Sequence, residues 1–412
     1  MTSTEHALLP ALVVVAGVAT GWLTGQDGSP AWQFARVAVV LVVTVGAAYL
    51  VVRGAPVTRG TVAVLAGLPA VVAGAGISLP HLSKTGLSPA VVAGALALVA
   101  GAALAGYGSV RLVRSTRRWW RLATGAALLA VVTVGLFSGV QAVAATNVPR
   151  AQPGPGTPAD RGLRYEDTTF PAPDGVALSG WYLPSAGRAA VILLHGAGST
   201  RSDVLDQAGV LSRHGYGVLL FDARGHGRSG GRAMDFGWYG DEDVAGAIDY
   251  LRSRPDVDPD RIGAVGLSMG GEEAIGAAAR WPALRAVVAE GATNRVAADW
   301  SFLADEYGVR GRIQRQVNGV TTALTDLLTA ADRPITLREA VMMIAPRPVL
   351  LIAAGDVPTE VQAARYLQRG NANVQVWRVP GTGHTRACQT RPSEWRQYVT
   401  AFLDAALGRI SP

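Results

Sequence analysis

A serine stands between two glycines at Gly266-Leu267-Ser268-Met269-Gly270, where the apolar run Ile262 to Val265 gives way to the small-residue helical pattern Gly271 to Arg280. A strand-to-helix turn this tight leaves no room for side chains two residues either side of its centre, and it holds the central hydroxyl out at the end of a sheet. It also aims a helix N-terminus at whatever the hydroxyl attacks. With 50 glycines in the chain the spacing alone says little; the strand before it and the helix after it give it weight. An alcohol is a poor nucleophile at neutral pH and needs an adjacent base. Of the six histidines, His6 and His81 lie in a strongly apolar first part of the chain, and His214 ends a helical pattern before a glycine. His195 and His226 sit in backbone-shaping turns and read as loop braces. His384, in the glycine-rich turn Pro380-Gly381-Thr382-Gly383-His384, is the candidate base.

The elements that must position these groups begin near Leu163. Two β-rich runs, Tyr165 to Phe170 and Val176 to Leu183, flank the hairpin signal Asp174-Gly175. Six more follow: Ala190 to Leu194, Gly217 to Phe221, Ile262 to Val265, Ala286 to Ala289, Val349 to Ile352 and Val374 to Val379. Helical patterns separate most of them. Near-continuous apolar strands alternating with helices predict a mostly parallel sheet covered on both faces. Ligands of such open sheets sit beyond the carboxyl ends of the strands. Those ends carry His195-Gly196-Ala197-Gly198, Asp222-Ala223-Arg224-Gly225-His226-Gly227-Arg228-Ser229, the Ser268 turn, Glu290-Gly291, Gly355-Asp356 and the His384 turn. Polar or glycine-rich sequence at each of these ends is what an active-site rim requires.

Together, and in this order, the His-Gly turn, the Asp-x-Arg-Gly-His-Gly-x-Ser segment, the Gly-x-Ser-x-Gly turn and the late Gly-His resemble the α/β-hydrolase fold. The likeness covers about residues 163–408 and is closest in style to the dienelactone-hydrolase-like and serine-esterase or peptidase branches. It implies Ser268 as nucleophile, His384 as base and a carboxylate between them in chain order. Asp356, 28 residues before His384, has the spacing the resemblance implies. The loop Gly355 to Glu360 is shorter than the family usually shows, which keeps Glu360 and Glu290 open as alternatives. The resemblance further implies that the backbone N–H groups of Ala197 and Met269 form the oxyanion hole. Asp222 and Arg224 read as scaffold, and Glu272 and Glu273 as complements to a helix dipole. Residues 292–345 separate two strands by far more than a short connection. Their helical patterns (Val296 to Glu306, Val317 to Thr329, Leu337 to Met343) predict a cap over the site.

The first part of the chain is unlike the rest. Apolar runs near Ala7 to Leu23, Phe34 to Val52, Gly60 to Leu79, Leu87 to Val110 and Leu122 to Thr146 each approach the ~20 residues a helix needs to cross a bilayer. They predict an all-α transmembrane region of about five helices over residues 1–148. A Pro/Gly linker at 149–161 and an α/β-hydrolase domain at 162–412 follow. The first run could also be read as a cleaved signal peptide, but it lacks a basic leading segment and four further spans follow it. Residues 1–150 hold ten Lys/Arg and two acids, whereas the remainder holds 27 and 28, so the net charge of +7 belongs to the apolar part. A neutral globular part argues against a nucleic-acid partner. Arg111, Arg114, Arg117, Arg118 and Arg121 beside Trp119 and Trp120 read as a cytoplasmic interface anchor, and five spans then put the C-terminal domain outside. The first connection offers Asp27 and the third Lys84, the only lysine. The single cysteine, Cys388, cannot form an internal disulfide.

These readings lead to a membrane-anchored serine hydrolase of an ester, thioester or amide, with a small or medium acyl substrate and the lipid bilayer as partners. No cofactor or metal is implied, and protein partners stay open, the apolar helices reading as an anchor or an assembly surface. The alternatives are a peptidase or acyltransferase of the same fold, a non-catalytic membrane sensor with a hydrolase-like binding domain, and, weaker, a channel or transporter.

Overall fold

Val191, Ile192, Leu193 and Leu194 follow one another with no polar residue between them, so both faces of their strand must be covered. The structure, a computed structural model, describes residues 3–24 and 30–408; Asp27 lies outside the described residues. Eight strands, β1 (Glu166–Pro171), β2 (Ala177–Leu183), β3 (Ala190–Leu194), β4 (Gly217–Phe221), β5 (Ile262–Leu267), β6 (Leu284–Glu290), β7 (Val349–Ala354) and β8 (Val374–Val379), form one sheet in the order β1-β2-β4-β3-β5-β6-β7-β8. The hairpin at Asp174-Gly175 makes β1 and β2 antiparallel, β2 is antiparallel to β4, and β3 to β8 run parallel.

Among the described residues five α-helices precede the sheet: α1 (Ser3–Thr24), α2 (Pro30–Arg53), α3 (Pro56–Thr85), α4 (Pro89–Ser115) and α5 (Arg121–Thr146). Those among the strands are α6 (Leu205–Arg213), α7 (Gly240–Arg252), α8 (Met269–Arg280), α9 (Leu303–Leu328), α10 (Leu337–Ile344), α11 (Pro358–Gln368), α12 (Ala387–Thr390) and α13 (Pro392–Leu407). Alternate strand residues serve opposite layers. Ile192 and Leu219 pack with α7, α8, α10 and α11 on one face, while Val191 and Leu220 pack with α6 and α13 on the other. Each such fully buried Val, Leu or Ile contributes about 1.5–3 kcal/mol.

The segment after β6 divides. Its first part, a 3₁₀ turn at Ala297–Trp300 and the long α9, stands apart from the sheet; α9 breaks helical geometry at Gly308 (φ 55°, ψ −126°). Leu337–Ile344 does not belong to a cap. Leu337, Ala340, Val341 and Ile344 are buried in the same core layer as α8. Their amphipathic pattern suits a core helix as well as a cover, so the cap is shorter than 292–345.

In the N-terminal unit, Pro30–Arg53, Pro56–Thr85, Pro89–Ser115 and Arg118–Thr146 are long and apolar enough to cross a membrane; in α1 the apolar stretch is the shorter Leu8–Leu23. Glycines bring α3 and α4 together. A methyl on Gly67 would meet Gly101 O at 2.6 Å, one on Gly74 would meet Gly94 O at 2.6 Å, and one on Gly108 would meet Gly60 O at 2.5 Å. This pairing recurs every seven residues, and small residues are how apolar helices approach closely in lipid. Val39, Val42 and Val45 of α2 face outward, as do Trp119 and Trp120 beside the arginine cluster. The linker is extended up to a 3₁₀ turn at Pro158–Arg161 and is held to the C-terminal unit. Ala151 O accepts from Gly227 N–H, Gly154 N–H donates to Thr200 Oγ1, and Arg150 bonds the Ser229 carbonyl.

Candidate active site

The turn from β5 into α8 places Ser268 at φ 53°, ψ −121°, a conformation that side-chain-bearing residues rarely adopt. The flanking glycines make it possible. A Cβ on Gly266 would lie 2.1 Å from Gly270 O, and one on Gly270 would lie 2.6 Å from His195 O. Ser268 N–H donates to Glu290 O at 2.7 Å, which ties the turn to the end of β6.

His384 comes from the loop after β8. Its Nε2 lies 2.9 Å from Ser268 Oγ, and its Nδ1 lies 2.6 Å from Glu360 Oε1. A carboxylate only accepts, so the hydrogen sits on Nδ1 and leaves Nε2 free to accept from the serine hydroxyl. Gly291 clears space for the ring, since a Cβ there would meet His384 Cε1 at 2.9 Å. The Glu360 hydrogen bond raises the imidazole pKa above its usual value, burial opposes it, and the charges of Glu360, Glu272 and Glu290 add to the rise.

The acid on the histidine is therefore Glu360, not Asp356. Asp356 sits exposed in the turn after β7, its N–H bonded to Thr382 O at 3.2 Å. Pro358 starts α11 so soon afterwards that no loop is left to swing the shorter aspartate back. Glu360, the third residue of that helix, points toward the strand end. It is 2% exposed, and its second oxygen accepts from Ala354 N–H at 2.9 Å. Glu290, the other alternative, is occupied elsewhere: its carboxylate accepts from Ala387 N–H at 2.8 Å and Trp395 Nε1–H at 3.1 Å. Burial raises its pKa against those two bonds. It braces the segment that follows His384.

The loop after β3 runs beside the serine, for a Cβ on Gly196 would come 3.4 Å from Ser268 Cβ. Ala197 N–H, on that loop, and Met269 N–H, at the start of α8, have no hydrogen-bond acceptor among the described residues. His195 and His226 brace this rim. His195 Nε2 accepts from Ala223 N–H at 3.0 Å, His226 Nε2 accepts from Gly198 N–H at 3.3 Å, and the rings meet edge to face. Burial lowers the His195 pKa. His214 pairs with Asp404 at 3.1 Å, far along the chain. Asp222 accepts from Arg201 N–H and Arg228 N–H, and Arg224 joins Asp243 to Asp174.

Glu272 and Glu273 are more than dipole complements. Glu272 Oε1 accepts from Thr293 N–H and Asn294 N–H, both at 2.9 Å, and burial pushes its pKa up to about 7. Burial first, and then the Asp243 charge, raise Glu273 well above the usual carboxylate range. Nothing in their sequence positions announces this burial. A cavity of about 440 Å³ lies under α9, lined by Trp300, Leu303, Tyr307, Gly311 and Asn318 together with Thr359, the neighbour of Glu360. Among the described residues no group of His, Cys, Asp and Glu is arranged to hold a metal ion.

A family model described as serine aminopeptidase, S33, matches residues 185–332. The chain is 37% identical over 127 residues to YfhR, an uncharacterised protein of Salmonella typhimurium, covering 29% of this chain and 41% of that one. It is 37% identical over 118 residues to the thiohydrolase aneE of Aspergillus aculeatus, covering 28% and 37%. The chain thus spans about two-fifths of the length of these curated relatives. An esterase structure from Pyrococcus furiosus aligns over 63% of this chain and 99% of its own, with 27% identity and a TM-score of 0.51. The C-terminal unit has the α/β-hydrolase fold, and these likenesses support a hydrolase.

Proposed function

We propose that this α/β-hydrolase chain is a membrane-bound serine hydrolase whose triad is Ser268, His384 and Glu360. The observation that carries the reading is the continuous hydrogen-bond path from the Ser268 hydroxyl through both ring nitrogens of His384 to a buried carboxylate. His384 Nε2 takes the hydroxyl proton as Ser268 Oγ bonds to the acyl carbon of an ester, thioester or amide. The carbonyl oxygen gains the charge and is met by the Ala197 and Met269 N–H groups. Glu360 holds the tautomer and stabilises the imidazolium. Collapse expels the alcohol, thiol or amine, which leaves with the proton held on His384. Water, deprotonated by the same Nε2, then cleaves the acyl-enzyme. The esterase and thiohydrolase likenesses favour esters and thioesters.

Peptidase action is a second reading, supported by the match to the serine aminopeptidase family over 185–332. Comparing kcat/KM for short acyl esters and for aminoacyl amides separates the two.

For sidedness, the connection between α4 and α5 carries the arginine cluster and two exposed tryptophans. We place it in the cytoplasm. If α5 crosses, the hydrolase unit is outside whatever the number of spans before it.

The test of the catalytic reading is labelling of the membrane-embedded protein by a fluorophosphonate, beside Ser268→Ala and His384→Ala. Labelling of the parent and of neither variant supports it. A folded parent that stays unlabelled overturns it and brings forward a ligand-binding domain without catalysis.

A further inference from the structure

Helix α9 carries its apolar residues on the wrong side for a helix of a water-soluble cap. Gly311, Gln314 and Asn318 line the cavity beneath it. At roughly 100° per residue the stripe of Val309, Ile313 and Val320 points about 150° away from that side. These three residues are 63%, 61% and 40% exposed. Arg312 flanks the stripe at about 80° on one side; Arg310, at about 80° on the other, also lines the rim of the cavity, and Arg315 lies about 140° from the stripe. Among the described residues none of the three arginines is paired with a carboxylate. From Tyr307 to Thr325 the chain has no acidic residue, and Asp305 and Glu306 precede the break at Gly308.

An outward apolar stripe bordered by cations fits one kind of surface, the boundary between lipid headgroups and acyl chains, where apolar residues sink in and arginines meet phosphates. Among the described residues of the same chain, four helices are long and apolar enough to cross a membrane. We propose that the outer face of α9 docks on an anionic lipid leaflet, with Val309, Ile313 and Val320 immersed. This deepens the membrane-bound hydrolase reading and rests on it. A helix with lipid on one side and a cavity lined in part by Thr359 on the other would give an amphiphilic acyl ester of the leaflet a place to lodge.

The test uses the full chain reconstituted in phosphatidylcholine vesicles with and without phosphatidylglycerol. A polarity-sensitive fluorophore is attached at Ile313→Cys and, as a control, at Arg252→Cys, exposed on α7; the buried Cys388 is checked for labelling in the parent. The expected result is blue-shifted emission at position 313, with loss of signal to spin-labelled lipid, and water-like emission at position 252. Phosphatidylglycerol should strengthen the effect, and Arg310→Gln or Arg312→Gln should weaken that partition by about fivefold each.

Emission at 313 as water-like as at 252 overturns the proposal. So does a shift that follows protein density rather than lipid composition, which would make a second copy the partner. Fluorophosphonate labelling of Ser268 is read on the same vesicles. If labelling persists while the lipid contact fails, the docking is wrong and the hydrolase reading stands.

Discussion

Glu360→Gln keeps the shape of the side chain and removes its charge. The two oxygens of Glu360 serve different donors, one on His384 Nδ1 at 2.6 Å and the other on Ala354 N–H at 2.9 Å. An amide has a single acceptor oxygen, so one donor is left facing an NH₂ group. If the oxygen stays on His384, the Ala354 N–H is orphaned in a dry site, at about 1–3 kcal/mol of stability. If it turns to Ala354, Nδ1 must accept, the ring hydrogen moves to Nε2, and the base can no longer take the Ser268 proton. In both orientations the imidazolium formed in the transition state loses its adjacent anion. The expected loss is roughly 10³ to 10⁴ in kcat/KM, about 4–5.5 kcal/mol of transition-state stabilisation. The assay is ester hydrolysis normalised to folded protein, beside Asp356→Asn. That residue is exposed, so its variant should stay within about twofold of the parent. Loss of activity in Asp356→Asn with Glu360→Gln near the parent would refute the reasoning and restore the aspartate as the triad acid.

Two further outcomes follow from the same geometry. His384 must be neutral to act as base, and its pKa is held above 6.5, chiefly by the Glu360 hydrogen bond. Thus kcat/KM should rise with pH through a limb above the ordinary imidazole value, and Glu360→Gln should move that limb to lower pH; a pH–rate profile of both proteins checks the sign. Glu290→Gln leaves either Ala387 N–H or the Trp395 indole N–H without an acceptor in a buried site. It should lower stability by about 1–3 kcal/mol, read by thermal unfolding, and reduce kcat more than it raises KM because the loop carrying His384 loosens.

The strands were legible wherever their residues are apolar on both faces. β3 and β7 are runs of Val, Ile, Leu and Ala, and β4 reads Gly-Val-Leu-Leu-Phe, each with glycine or a polar residue directly after it; only a doubly covered sheet accommodates such runs. The Ser268 turn was legible because two glycines flank the serine within five residues, between a strand run and a helical pattern. The extent of the cap was not. Leu337 to Ile344 has an apolar stripe that would suit a cover or a core equally, and only its burial against α8 decides. The sense of α9 was also hidden. A hydrophobic period says that a helix has two faces, not which one the fold turns inward.

Three carboxylates sit near the strand ends, and the sequence alone could not allot their tasks because each is a plausible partner for a histidine. Geometry separates them by reach. Asp356 stands immediately beyond β7, where its short side chain serves an exposed turn. Glu290 closes β6 facing α12 and α13, and two donors from that side hold both of its oxygens. Glu360 has a longer side chain and stands in the first turn of α11, where the helix dipole favours a negative charge. From there it reaches back to Ala354 and His384 together. The two buried glutamates then divide the work around one loop: Glu290 fixes the chain just after His384, and Glu360 fixes the imidazole itself. A short β7–α11 connection is compatible with a triad because the acid has moved one turn into the helix and lengthened by one methylene.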